Sequence, residues 1–268
     1  MRRMQLIEIH DQTWFPRSLR DAITDTLQCL LNLGNLYKPV VPRLRKAFEE
    51  ARAHRVLDLC SGGGGPWLRL YRVFEQEEPF LVDICLTDKY PNLGAFDHAR
   101  IASQNRIHFH ADPVDAKQIP AALKGFRTLF TSFHHFRPED ARAILQDAVD
   151  HQQGIGIFEL PGRHPLTLLL AFLVPVVALV VVPFVRPFRW SRLLWTYLIP
   201  IIPFVLLFDG IVSCIRTYSP PELGELTAGL SGNEYTWDMG EERGSLLPVP
   251  ITYLIGYLNP TQDQASRT

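Results

Sequence analysis

The chain has 268 residues, room for one large domain or for one domain with an appendage. Its 27 basic and 28 acidic residues nearly cancel, which excludes a globally basic surface for nucleic acid. Cys29, Cys60, Cys85 and Cys214 are scattered without a CxxC pair, which excludes a disulfide scaffold and fits a reduced compartment. Arg2 and Arg3 are followed by Glu8, His10 and Asp11 before any apolar run, so no signal peptide is expected.

In chain order, residues 5–50 read as mostly helical. Pro16 marks a helix start, and Leu19, Ile23, Leu27, Leu30 and Leu31 follow at helical spacing. Gly34 and Pro39 punctuate. Pro42 can start a second helix, with Leu44, Ala47 and Phe48 on its apolar side.

The stretch from Arg55 to Trp67 is R-V-L-D-L-C-S-G-G-G-G-P-W. Val56, Leu57 and Leu59 read as a short buried strand that contains Asp58. Four consecutive glycines, Gly62 to Gly65, leave little side chain, so another molecule can approach the backbone. Pro66 suits a first helical turn. Strand, glycine turn and helix start together mark where a nucleotide-like ligand lies in an open α/β sheet. A dinucleotide fingerprint fails in either register, because Trp67 or Leu68 stands where its third glycine belongs.

This stretch resembles motif I of the class I S-adenosylmethionine-dependent methyltransferases. The pattern falls on Asp58, Cys60, Gly62 and Gly64, with Cys60 where the first glycine is usual. The resemblance implies a cofactor site built from Asp58, Cys60, Ser61, Gly62 and Gly64. It also implies that the helices before the first strand cover the cleft, which makes His10, Asp11 and Trp14 candidate lid residues.

A helix then runs to about Glu75, and Phe80 to Thr87 reads as a second strand ending at Asp88. An acid there can accept from both hydroxyls of a ribose. Arg106 to Ala111 reads as a third strand. The resemblance puts an acid after it near the adenine amino group, where Asp112 fits first and Asp115 second. His108 and His110 form an HxH pair without an obvious third ligand, so no metal is expected.

Phe126 to Phe133 reads as a fourth strand containing Ser132, counted with the cofactor site. It runs into His134 and His135, candidates for a general base at the cleft edge. A helix from Pro138 and a fifth strand from Ile155 to Glu159 follow. Glu159 is a candidate for orienting an acceptor amine. The alternation of strands and helices argues a doubly wound, mainly parallel sheet.

Then the composition changes. Leu166 to Val185 and Leu193 to Phe208 carry no charge, and R-P-F-R-W-S-R lies between them. Twenty helical residues span about 30 Å, the thickness of a bilayer core. Pro175, Pro183, Pro200 and Pro203 suit a bent hairpin that enters and leaves by one face. A full crossing would put Arg186, Arg189 and Arg192 outside, against the positive-inside tendency. A re-entrant or interfacial hairpin, a span, and a buried or oligomer-forming hairpin all remain open. After it, Ser219 caps a short helix beginning at Pro220 and Pro221. Tyr235 to Met239 and Ile251 to Leu258 read as strands, with turn signals at Gly244 and Pro248. The resemblance implies that they close the sheet as a hairpin with an antiparallel last strand.

The expected fold is α/β, a doubly wound Rossmann-like seven-stranded methyltransferase sheet with a helical hydrophobic hairpin insertion. The expected segments are a helical lid at 1–54, a cofactor-binding core at 55–163, a membrane hairpin at 164–212, the rest of the core at 213–258 and a polar tail at 259–268. The resemblance implies methyl transfer from S-adenosylmethionine to a lipid or other hydrophobic small molecule, on the cytoplasmic side of a membrane. Two rivals stay open: a membrane-anchored, cofactor-binding adaptor without methyl transfer, and a nicotinamide-dependent oxidoreductase.

Overall fold

A computed structural model of the chain describes residues 2–76, 80–231, 235–244 and 249–258. The turn residue Pro248 and the tail from Asn259 lie outside the described residues. Seven strands form one sheet: β1 (Arg55–Asp58), β2 (Asp83–Leu86), β3 (Ile107–Phe109), β4 (Phe126–Phe130), β5 (Ile155–Glu159), β6 (Tyr235–Arg243) and β7 (Pro250–Leu258). Their order is β3-β2-β1-β4-β5-β7-β6. The first five are parallel, and β7 runs antiparallel against both β5 and β6. This is the α/β architecture expected from the sequence, including the late antiparallel hairpin. The reversal of strand order between β1 and β4 opens a crevice at their carboxyl ends, the usual ligand position in such sheets.

Ten helices accompany the sheet among the described residues: α1 (Arg17–Leu33), α2 (Val41–Glu50), α3 (Trp67–Gln76), α4 (Leu93–Ala102), α5 (Pro138–Asp150), α6 (Pro165–Ala171), α7 (Val174–Val181), α8 (Trp190–Leu193), α9 (Ile201–Arg216) and α10 (Pro220–Thr227). One sheet face packs Phe48, Trp67, Phe74 and Phe96 from α2, α3 and α4. The other packs Ile144, Leu145 and Leu223 from α5 and α10. Strands β2, β3 and β4 are shorter than their apolar runs, because the chain leaves the sheet once its partner strands end. Thus Ser132 to His135 form a loop and a short 3-10 turn past β4 rather than its continuation. At α10 the sequence signal holds in detail: Ser219 and Glu222 form a reciprocal capping box.

The apolar insertion does not stand away from the body. Its inner face joins α1 in a separate core of Leu19, Ala22, Ile23, Ala178, Ile202 and Val205. The stretch Pro165–Phe184 is 20 residues long and apolar enough to cross a membrane. The second run is broken: Trp190–Leu198 and Ile201–Arg216 meet at 77°. The bend follows from Pro200, which cannot continue the preceding helix.

The tip between the runs folds back onto α1. Arg192 is buried in an ion pair with the equally buried Asp25, and donates to the carbonyls of Val185 and Pro187 at 3.2 Å. Arg189 lies 3.4 Å from Asp21 and donates to Asn92 at 3.3 Å. Arg189 and Arg192 of the tip thus pack against α1 and the N-cap of α4 rather than away from the body. α9 also continues past the apolar run to Arg216, which brings a cation back to the crevice.

Candidate active site

The glycine loop is fixed from below by Asp58. Its Oδ2 accepts from the Ser61 hydroxyl at 2.6 Å, and its Oδ1 from the Thr128 hydroxyl at 2.7 Å. Burial pushes this carboxyl up to about 6, against the pull of those two donors. Asp58 therefore shapes the loop from inside and is 1% exposed. Cys60 adopts φ +56°, the left-handed region that favours glycine, at the position where the resembled motif has glycine. Gly62 and Gly64 take φ +53° and +103°. Gly63 answers a different demand: a Cβ there would stand 2.6 Å from the Thr24 carbonyl oxygen of α1.

Asp88 lies beside this loop. Its Oδ2 accepts the Gly62 N–H at 2.8 Å and its Oδ1 the Tyr90 N–H at 2.7 Å. Each carboxylate oxygen keeps a further lone pair. Burial pushes Asp88 up, with the two backbone donors pulling the other way. The Val114 N–H bonds to the Asp88 carbonyl at 2.9 Å, which brings the loop after β3 alongside. Neither acid of that loop turns toward the glycines. The side chain of Asp112 is 88% exposed, with His110 Nε2 3.8 Å from its Oδ2. Asp115 pairs with Lys89 at 3.0 Å. His108 faces Asp83 at 3.4 Å on the sheet edge.

Past β4, a buried network assembles from distant parts of the chain. Glu159 Oε1 accepts the Ser132 and Phe133 N–H groups at 3.0 and 2.6 Å, and Oε2 meets His134 Nδ1 at 2.6 Å. Burial alone would raise Glu159, but His134 and these donors hold it below the usual carboxylate range. With both oxygens engaged, Glu159 ties the 132–134 loop to the end of β5. Its partner His134 is 1% exposed. Among the described residues the buried Ser132 hydroxyl has no hydrogen-bond partner.

His135 is different. Its Nδ1 lies 2.6 Å from Asp11 Oδ2 and 3.2 Å from Glu8 Oε2, and it is only half-buried. Burial opposes its charge, yet Asp11 and Glu8 outweigh it and push the imidazole up to about 9. His10 packs edge-on to His135, with ring centroids 5.5 Å apart. His10 Nδ1 lies 2.7 Å from Asp209 Oδ2 on α9, and Asp209 also accepts the Ile9 and His10 N–H groups. Arg216 closes the cluster. It donates to the carbonyls of His134 and His135 and stands 3.3 Å from Glu8 Oε1 and 3.5 Å from Asp11 Oδ2.

Of the expected lid residues, His10 and Asp11 enter this cluster, while Trp14 is 70% exposed. Glu8, Asp209 and Arg216 were missed by the sequence reading. The available signal was Asp209, the acid that ends the second apolar run, F-V-L-L-F-D-G.

No family model matches the chain, and no curated protein matches it. Solved structures do. An O-methyltransferase family protein from Burkholderia thailandensis aligns over 90% of this chain and 59% of its own length, with TM-score 0.50 and 17% identity. An O-methyltransferase from neocarzinostatin biosynthesis, solved with S-adenosylmethionine and 2-hydroxy-5-methyl naphthoic acid, aligns over 86% and 55%, with TM-score 0.48 and 16% identity. The chain thus spans a little over half the length of these two proteins. The likeness to the first shows the fold: this chain has the Rossmann-like methyltransferase fold.

Proposed function

We propose that the protein is an S-adenosylmethionine-dependent methyltransferase that works at the cytoplasmic surface of a membrane on a lipid or other hydrophobic small molecule. The observation that carries this reading is the meeting of two features. A glycine cradle with the Asp88 carboxylate against it lies at the switch point of the sheet. Beside it sits an insertion that is apolar on both faces. Leu169, Phe172, Leu173, Val176 and Val180 form an outward stripe at helical spacing, all more than half exposed, while Ala171, Ala178 and Val181 pack inward. A helix apolar all round is at home in a core or in lipid. Trp190 and Leu198, both more than three-quarters exposed, extend the same surface.

The residues fit the cofactor. The spare lone pairs of Asp88 suit a ribose diol, and Gly62 and Gly64 leave the loop free of Cβ atoms. Bound there, S-adenosylmethionine supplies an activated methyl group that an acceptor nucleophile displaces in line, leaving a thioether. The protein's own part is alignment and exclusion of water. Asp58, Cys60 and Ser61 hold the loop's shape. Asp112 is the weakest of the expected cofactor contacts, since its carboxylate lies in solvent. Glu159 and His134 act as positioning residues for the 132–135 turn. His135, with Asp11 behind it, is the side chain of that turn best suited to touch an acceptor.

Withdrawing one large apolar side chain from water contributes about 1.5–3 kcal/mol. Three or four such side chains therefore match the marginal binding of a single acyl chain. The test is to incubate purified protein with methyl-labelled cofactor and total membrane lipid extract. Label should enter the lipid phase with the wild type and not with Gly64→Leu, provided circular dichroism finds the variant folded. Cofactor binding without transfer to any extract would instead favour the adaptor. A protein that floats with vesicles only when Phe172, Val180 and Trp190 are intact supports the membrane half of the reading.

A further inference from the structure

His135 and three side chains around it are arranged as a ligand set. We propose that Glu8, His10, Asp11 and His135 bind one divalent transition-metal ion at the edge of the crevice. This goes beyond the methyl-transfer reading and does not depend on it. One donor atom from each of the four lies within 4.8 Å of all the others. Known separations are 2.6 Å for His135 Nδ1 to Asp11 Oδ2, 3.2 Å for His135 Nδ1 to Glu8 Oε2 and 3.7 Å for His10 Nε2 to Asp11 Oδ1. An ion with bonds of about 2.0–2.2 Å holds its donors roughly 3.0–3.6 Å apart, so modest adjustments suffice.

Two independent observations point to a ligand. Glu8 is fully buried, and its Oε2 makes no hydrogen bond among the described residues, with His135 Nδ1 3.2 Å away as its ionic neighbour. A buried carboxylate oxygen without a hydrogen bond is stabilised by a cation placed directly on it. Second, His10 Nδ1 is bonded to the carboxylate of Asp209, which leaves Nε2 as the metal-facing nitrogen. A carboxylate behind a histidine is the usual way a ligand ring is held and oriented. Metal binding displaces the proton from His135, after which Arg216 and the ion face the carboxylates of Glu8 and Asp11. Two imidazoles among the donors favour Mn²⁺, Fe²⁺ or Zn²⁺ over Mg²⁺ or Ca²⁺. A six-coordinate ion held by four protein donors keeps positions open for an acceptor oxygen.

The experiment uses the full chain in lipid nanodiscs, stripped with chelator and desalted. Mn²⁺ or Zn²⁺ alone is titrated by calorimetry, and bound metal is counted by mass spectrometry. One ion per chain is expected. Asp209→Asn should weaken binding about 10- to 100-fold, and His10→Gln should weaken it by at least as much. Pulsed electron paramagnetic resonance of the Mn²⁺-loaded wild type should detect imidazole nitrogen coupling, a readout that needs no variant to fold. The proposal is overturned by substoichiometric binding, by binding that survives His10→Gln, or by bound Mn²⁺ without nitrogen coupling. Because none of these measurements involves methyl transfer, failure here is distinct from failure of the function proposed above.

Discussion

The buried pair between Asp25 and Arg192 makes the docking of the insertion open to test. Both side chains are almost completely shielded from water, and burial already pushes the Asp25 carboxyl up, despite Arg192, Arg189 and Asn92. Desolvation on this scale means the pair contributes little net stability when intact. Asp25→Asn removes one charge and keeps an acceptor for the Asn92 amide, which now donates to Asp25 at 2.8 Å. It leaves the Arg192 guanidinium buried with only the Val185 and Pro187 carbonyls. Breaking such a pair by removing one partner costs about 3–5 kcal/mol. For a domain of this size that corresponds to a fall in Tm of roughly 6–20 °C. If the tip undocks locally instead, hydrogen exchange through residues 185–198 should accelerate by more than about a hundredfold. The double variant Asp25→Asn with Arg192→Met leaves no buried charge and should recover most of the loss. Differential scanning calorimetry and exchange mass spectrometry read both effects. An Asp25→Asn protein with unchanged Tm and unchanged exchange at the tip would refute the docking of the insertion on α1.

Further outcomes are expected. Asp58 titrates higher in the fold than its ordinary value, so its ionised form opposes folding above about pH 6 and the effect vanishes below about pH 4. Asp58→Asn should therefore raise stability by at most about 3 kcal/mol at pH 8, with a smaller gain at pH 4. Equal shifts in Tm at both pH values would count against this. Gly63→Ala drives a Cβ against the Thr24 carbonyl and should destabilise by about 1–3 kcal/mol in thermal melts. His135→Ala should lower kcat by roughly 10²-fold or more at pH 9, where the wild-type imidazole has lost its proton, and by less at pH 7, while cofactor affinity measured by calorimetry stays unchanged. Loss of both together would make His135 part of the cofactor site.

Local sequence was enough for the sheet and the cradle. The run R-V-L-D with glycines after it, the acid Asp88 after the second apolar run, and Pro-started helices are short-range patterns. Backbone sterics read such patterns the same way in most contexts. The composition likewise marked the insertion, since no amphipathic pattern interrupts 166–185. The sequence alone left open where that insertion goes. That depended on Asp25, one polar residue on the buried side of α1, finding Arg192 far along the chain. Ion-pair partners so distant leave no local periodicity. The candidate site divided in the same way. His134 and His135 stood out by their position after an apolar strand. The partners that give them opposite roles come from the N-terminal loop, from β5 and from the last turns of α9. Only the tertiary fold brings Glu8, Asp11, Glu159 and Arg216 within hydrogen-bonding and Coulombic reach of two adjacent imidazoles. There the low local dielectric makes each neighbour decide which histidine is locked and which is accessible.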